Sequence, residues 1–289
     1  MFDLHMHSTF SDGKDDLMTL ISNVSNAKIK FFSVTDHDVA ESGRVILKSQ
    51  EYQDKIKELG LKYVTGIEFT CKHRDKEMHI LAYDFDPNNP EVIALEDEMK
   101  SLLRQKDVYR FEALNKAGYH LSQKSKDFLE TRENIRKLDL ANVLVEDGYF
   151  DNIEVAIKTF LNNIKYPMIY KLQAEKVIKN MSKIGAKVVW AHSIYGIGDP
   201  ALPFDELEEM AAEFKSFGLS GLEAFYSLYN KDQIQKLLEI AEKLDLFVTC
   251  GSDYHGKNKK VALAELSCDG SQCDFSKIKV DKIFKNIIG

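Results

Sequence analysis

The chain has 289 residues, 44% of them hydrophobic, enough to bury a sizeable core in one large α/β domain or in a domain with an insertion. Its formal charge of −7 speaks against a general nucleic-acid binder or a basic membrane-surface protein. Asp3, His5 and His7 stand where a secretory signal needs a basic stretch and then an unbroken apolar one, and no apolar run approaches roughly 18 residues, so the chain is read as cytoplasmic with no membrane partner.

The first apolar run, residues 2–7, reads as a strand. Alternate side chains of a strand share a face, so His5 and His7 point the same way and can grip one metal ion. Asp12 follows in the next loop. A helix is expected over residues 15–27, a second strand over 31–35 ending at Asp36-His37-Asp38, and another helix over 45–59. The next two runs, 63–69 and 79–83, are separated by too few residues for a crossover helix and should pair as an antiparallel hairpin. With its turn centred on His73-Arg74, residue numbers across the ladder sum to about 147 by register, which sets His79 opposite Glu68.

From residue 84 to 170 the strand–helix rhythm stops. Helices are expected over 91–117, 125–130, 138–147 and 153–161, and the whole of 89–168 reads as an inserted helical cap for substrate recognition, leaving 1–88 and 169–289 for the catalytic barrel. Residues 100–137 hold ten Lys or Arg against five Asp or Glu, a local field that suits an anionic substrate although solvated helix faces carry such charges too. Strands return at 187–191, 220–225 and 246–250, spaced by helices over 174–184, 203–217 and 231–244, so a barrel-like parallel sheet is expected. Cys71, Cys250, Cys268 and Cys273 form no CxxC pair and read as reduced thiols.

In such barrels chemistry gathers where side chains leave the C-terminal ends of strands. His5, His7, His37, Glu68, His192, Asp253 and His255 all fall at such ends, Asp12 sits in the first loop, and the hairpin brings in His79. One strand-end histidine is more often an ordinary hydrogen-bonded residue than a ligand, but nine coincidences are harder to dismiss. His73, in a charged turn, and His120, in a loop of the insertion, are left as solvent-exposed bystanders. Imidazole and carboxylate without thiolate suit Mn²⁺, Fe²⁺ or Zn²⁺.

These residues resemble the polymerase and histidinol phosphatase (PHP) superfamily. Five motifs carry the likeness in order: His5-x-His7 with Ser11-Asp12-Gly13, Thr35-Asp36-His37-Asp38, Gly66-Ile67-Glu68, Ala191-His192, and Gly251-Ser252-Asp253-Tyr254-His255-Gly256. The resemblance implies an α/β fold, a distorted (β/α)7 barrel with an inserted helical cap, and three divalent ions. It assigns His5, His7, Glu68 and Asp253 to the first ion, Glu68, His79 and His192 to the second, and Asp12, His37 and His255 to the third. Glu68, Asp253, His192 and His37 would carry the catalytic burden. Asp36 and Asp38 would orient His37.

Paired divalent ions about 3.5–4 Å apart can hold a bridging hydroxide and clamp a phosphoryl group for in-line attack, so the implied reaction is hydrolysis of a phosphomonoester. Aspartate at position 12 and the form of the insertion resemble the branch that takes nucleoside 3′,5′-bisphosphates and trims short RNA from the 5′ end, and no duplex nucleic acid is expected as partner. That branch carries a Gly-Arg-x-His-x-Ala motif, where this chain reads Arg136-Lys137-Leu138-Asp139-Leu140-Ala141. Lysine lacks the two-pronged fork of arginine, and aspartate repels a dianion. Arg104, Arg110, Arg132, Arg136, Lys137 and Ser193 are the candidate substrate contacts. The alternatives are a histidinol-phosphate or other small-metabolite phosphatase, a C–N hydrolase of the amidohydrolase type, and a metal-stabilised module without activity.

Overall fold

In the computed structural model, residues 1–132, 135–164, 168–195 and 200–289 are described. The chain divides into two compact units, one made of Met1–Glu96 and Leu172–Gly289 and the other of Asp97–Lys171.

The first unit is α/β. Strands β1 (Phe2–Asp3), β2 (Phe31–Phe32) and β3 (Lys62–Tyr63) form a short parallel sheet. A six-stranded sheet runs in the order β6 (Leu172–Gln173), β4 (Gly66–His73), β5 (Lys76–Tyr83), β7 (Lys187–Trp190), β8 (Gly221–Tyr226), β9 (Phe247–Gly251). β5 is antiparallel to both its neighbours, whereas β7, β8 and β9 run parallel. No closed barrel forms among the described residues, and isolated bridges at Met6–Tyr254 and His37–Glu68 join the two sheets. Leu4 N–H donates to Cys250 O (3.0 Å), His7 N–H to Tyr254 O (2.9 Å) and Asp253 N–H to His5 O (2.8 Å), so the first strand is zipped to the last.

Several elements differ from expectation for identifiable reasons. The run 63–69 is two strands, because Tyr63 pairs with β2 while Gly66 turns the chain into the hairpin. A methyl at Gly66 would lie 2.8 Å from Thr35 Cγ2, so this crossing requires glycine. The stretch 45–59 is also two helices, α2 (Glu41–Lys48) and α3 (Gln50–Glu58), broken at the extended Ser49. In the hairpin, His73 pairs with Lys76, Thr70 with His79 and Glu68 with Leu81. The turn thus sits one residue later than expected and the register shifts by two. A shift of two keeps every side chain on its face, so His79 and Glu68 remain diagonal neighbours.

Local sequence accounts for the helices. In α1 (Leu17–Asn26), Asp16 accepts from Thr19 N–H at 2.8 Å, and Leu17, Leu20, Ile21 and Val24 form one buried stripe against Met6, Phe32 and Val34. After α4 (Pro90–Lys116), α5 (Gln123–Glu130), α6 (Lys137–Glu146) and α7 (Ile153–Thr159) complete the second unit. Its own core is built from Leu114, Leu129, Leu140, Leu144, Ala156 and Leu161. α8 (Ala174–Lys183), α9 (Phe204–Phe217) and α10 (Lys231–Lys243) alternate with β7–β9. Among the described residues no helix is long and apolar enough to cross a membrane. All four cysteines are free thiols.

Candidate metal centre

The nine ligand-type side chains converge in the first unit. Glu68, fully buried on β4, lies at the middle. Its Oε1 is 2.8 Å from His79 Nδ1, 3.1 Å from His5 Nε2 and 3.2 Å from His192 Nε2. Its Oε2 is 3.1 Å from His37 Nδ1 and 3.2 Å from His7 Nε2. Asp253 Oδ1 is 3.2 Å from His7 Nε2, and Asp12 Oδ1 is 3.1 Å from His255 Nε2. Three sets, His5-His7-Glu68-Asp253, His7-Asp12-His37-His255 and His37-Glu68-His79, each offer ligand atoms within 4.8 Å of one another.

The donor set fits divalent cations. His5 Nε2, His7 Nε2, His37 Nδ1, Asp12 Oδ1 and Glu68 Oε2 are buried without a hydrogen-bond partner. Leaving five such atoms unpaired costs roughly 1–3 kcal/mol each unless something binds them. Hydrogen bonds at the far side of the rings aim the inner nitrogens. His5 Nδ1 meets Glu223 Oε1 at 2.9 Å, His255 Nδ1 meets Asp253 O at 2.8 Å, and His192 Nδ1 meets Tyr195 O at 3.3 Å. Each of these acceptors fixes the proton on Nδ1 and leaves the Nε2 lone pair facing inward.

Burial penalises the charge of His7, Glu68 and Asp253, and mutual attraction opposes it. Burial would push His7 down, but the carboxylates of Asp253 and Glu68, each 3.2 Å from its Nε2, raise it to about 9. Burial would likewise raise Glu68, yet the surrounding histidines, led by His5 and His79, hold its carboxyl well below the usual range. Asp253 is lowered in the same way, against its burial, by His5 and His7. His37 is pushed well below the ordinary histidine value, first by burial, and is neutral. The exposed side of the centre is marked by Asp12 and His37, whose side chains are 47% and 23% accessible.

Glu223 was not singled out from the sequence. It lies fully buried on β8 and accepts from both His5 Nδ1 and the His192 backbone N–H, 2.9 Å each. The signal was a carboxylate inside the apolar run Gly221-Leu222-Glu223-Ala224-Phe225, which has to have a partner. Tyr226 and Lys259 were also missed, and their side chains bond Asp253 Oδ2 at 3.1 and 2.6 Å.

Other expectations need correction. Asp36 does not orient His37. Beyond the end of β2, Asp36 accepts instead from Ser8 N–H, Ser8 Oγ and Ser11 Oγ, each at 2.8 Å, fixing the loop that carries Asp12. Asp38 accepts from Thr70 N–H at 2.7 Å. His73 is not solvent-exposed, for it contacts Glu213 at 3.2 Å with only 12% of its side chain accessible, while His120 is exposed.

Of the expected substrate contacts, Ser193 is buried beside His192. The others belong to the helical unit. Arg110 is buried, with Nη1 bonded to Asp107 Oδ1 and Ile135 O at 2.8 and 2.6 Å, so its guanidinium clamps that unit internally. Arg132 sits 4.4 Å above the Phe128 ring, and Lys137 bonds Asn162 Oδ1. Asp139 accepts from Arg136 N–H at 2.8 Å, a bond at the start of α6 that accounts for aspartate in this position. Arg104 lines a cavity of about 620 Å³ with Phe111, Tyr119 and Arg132.

Comparison with known proteins agrees with this geometry. A 5′-3′ exoribonuclease of Haemophilus influenzae is 27% identical over 257 residues, 88% of this chain and 89% of that protein. A phosphoribosyl 1,2-cyclic phosphate 1,2-diphosphodiesterase of Eggerthella lenta is 24% identical over 273 residues, 90% of this chain and 95% of the relative. Among solved structures, one from Bifidobacterium adolescentis described as a metal-dependent phosphoesterase superposes with a TM-score of 0.71 at 24% identity, covering 98% of this chain and 94% of the other, a likeness of fold. The family model of the PHP domain matches residues 3–187, and the chain belongs to the PHP domain family.

Proposed function

We propose that the protein is a metal-dependent phosphoesterase that hydrolyses a phosphomonoester of a small nucleotide, a nucleoside 3′,5′-bisphosphate. The observation that carries the reading is the convergence of nine ligand-type side chains in the first unit, eight of them in the three sets of ligand atoms and His192 beside Glu68, with five buried polar atoms lacking a hydrogen-bond partner. Three divalent ions, Mn²⁺, Fe²⁺ or Zn²⁺, would be held by His5, His7, Glu68 and Asp253, by Glu68, His79 and His192, and by Asp12, His37 and His255. When bound, such ions supply an activated water and positive charge for the phosphoryl oxygens.

The chain's own residues do the rest. His5, His7 and Glu68 are fully buried and keep bulk water from the inner side of the centre. Glu223 and the carbonyls of Asp253 and Tyr195 hold three imidazole rings in place, so no reorganisation is needed when substrate binds. Asp12 and His37 lie on the open side, from which a phosphate would approach, and in this reading they act there as ligands of the third ion. The helical unit is read as the substrate-recognising insertion, with Arg104, Arg132, Arg136 and Lys137 as its cationic candidates.

The relative from Haemophilus influenzae supports a nucleotide substrate, and the relative from Eggerthella lenta names a second phosphorylated ribose to be tested beside it. The test is phosphate release from adenosine 3′,5′-bisphosphate, 5′-AMP, histidinol phosphate and phosphoribosyl 1,2-cyclic phosphate by Mn²⁺-reconstituted protein. Metal-dependent turnover led by the bisphosphate is the expected result. Turnover led by another ester would overturn the substrate, and metal binding with no turnover of any would leave a metal-stabilised module.

A further inference from the structure

Immediately after His255 and Gly256 the chain reads Lys257-Asn258-Lys259-Lys260, three lysines in four residues in a protein of net charge −7. All four are exposed, and a run of this kind ordinarily faces solvent. This one is tied to the centre instead. Asn258 Nδ2 donates to Asp12 O at 2.6 Å, and Ala264 N–H donates to the buried Asp3 Oδ2 at 2.9 Å, so the loop is pinned at Asn258, directly after Lys257, and again beyond Lys259 and Lys260. Lys259 turns inward, with Nζ 2.6 Å from Asp253 Oδ2. Exposed Lys14 lies alongside, its Cβ 3.1 Å from where a side chain at Gly256 would begin.

An ammonium group has three N–H donors. Lys259 spends one on Asp253, and its side chain is still 42% accessible, so donors remain for a second anion. Lys257 and Lys260 form no ion pair among the described residues. The loop is bonded to the residue that marks the open side of the centre, Asp12, so a ligand whose reacting phosphate sits at the centre meets these lysines next.

We propose that Lys259, supported by Lys257 and Lys260, forms a subsite for a second anionic group of the substrate, the phosphate that is not cleaved. The proposal rests on the phosphoesterase reading and deepens it by assigning residues of this loop to the phosphate that stays on the product. A lysine acts there as a point charge, so the subsite selects charge more than shape and weakens with salt.

The test compares kcat/KM for adenosine 3′,5′-bisphosphate and 3′-AMP, which differ by one phosphate, in the Mn²⁺-loaded wild type, Lys259→Met and the double variant Lys257→Gln/Lys260→Gln. In the wild type the bisphosphate is preferred, and Lys259→Met shrinks that preference by about 10-fold or more, chiefly through KM. The double variant shrinks it less and removes most of its salt dependence. A preference unchanged by Lys259→Met overturns the proposal. So does a fall in bound Mn²⁺ that lowers turnover of both nucleotides equally, since Lys259 would then merely hold Asp253. If the wild type cleaves p-nitrophenyl phosphate but neither nucleotide, the nucleotide substrate is wrong and the loop is judged separately. Pyrophosphate and phosphate are then compared as inhibitors of that reaction, and the same collapse or its absence decides. If no monoester is cleaved, the phosphoesterase reading falls and the proposal with it.

Discussion

Replacing Glu223 by glutamine changes one oxygen to a nitrogen in a fully buried site. The wild-type carboxylate receives two donors, His5 Nδ1–H on Oε1 and His192 N–H on Oε2, each at 2.9 Å. Glutamine offers one acceptor and one NH2, so one of the two donors must face another donor. If the ring of His5 loses its partner, nothing fixes its proton on Nδ1 and its inner nitrogen is no longer a reliable ligand. If the backbone of His192 loses it, a residue already at φ +29° loses the bond that holds it there. Either outcome forfeits a hydrogen bond to a charged group, about 1.5–3 kcal/mol, and leaves a buried donor unpaired. Metal affinity therefore falls by roughly 10–100-fold. The assay is a Mn²⁺ titration against a competing chelator, with thermal melting of the metal-free protein to separate lost affinity from lost fold. A Glu223→Gln dissociation constant matching the wild type in a folded protein would refute the reasoning.

Gly251→Ala should destabilise the fold and empty the centre, because the added methyl meets His5 Cβ and lies 2.5 Å from Glu223 Oε1; wild-type melting and metal content would contradict this. Leu144→Ala, in the core of the helical unit, should cost roughly 2–5 kcal/mol, seen as faster amide exchange in α5–α7 while β7–β9 keep their protection. Exchange accelerated equally throughout would argue against two separately packed cores. In the metal-free protein His7 titrates near 9, so below about 6.5 its charged form contributes its full stability and that contribution is lost as pH rises through 9. At pH 7 the ion displaces this proton, and calorimetry in buffers of different ionisation heat should show proton release that diminishes toward pH 9, with affinity rising over the same range. No buffer dependence would show that His7 is already neutral.

The residues that meet at the centre were legible because strand alternation and strand ends are properties of local sequence: His5 and His7 share a face, and Glu68 and His79 stayed together through a register error that was even. What was hidden depends on distant partners. Nothing near Ser49 announces a break between α2 and α3, for no glycine or proline stands there. The sheets are shorter than their apolar runs because the site bends the backbone, as the positive φ of Asp38, His192 and Asp253 records. Adjacency suggests Asp36 as a partner of His37, but its partners Ser8 and Ser11 stand 28 and 25 residues away and are invisible to local sequence. Glu223 is visible only as an anomaly in an apolar run until His5, 218 residues away, is seen to be its partner.

The pairing of Leu4, His5 and His7 with Cys250, Asp253 and Tyr254 has a consequence for biosynthesis. While the polypeptide is being made, His5 and His7 leave the ribosome well before strand β9, the last strand of the sheet, and wait for it to follow. Contacts of such long sequence separation form late in folding. A partly synthesised chain can cluster His5, His7, His37 and Glu68, but it lacks Asp253 and His255 and cannot present the complete ligand set. The complete ligand set is therefore postponed until Asp253 and His255 have been made, and a chain that stops short of them carries an incomplete centre.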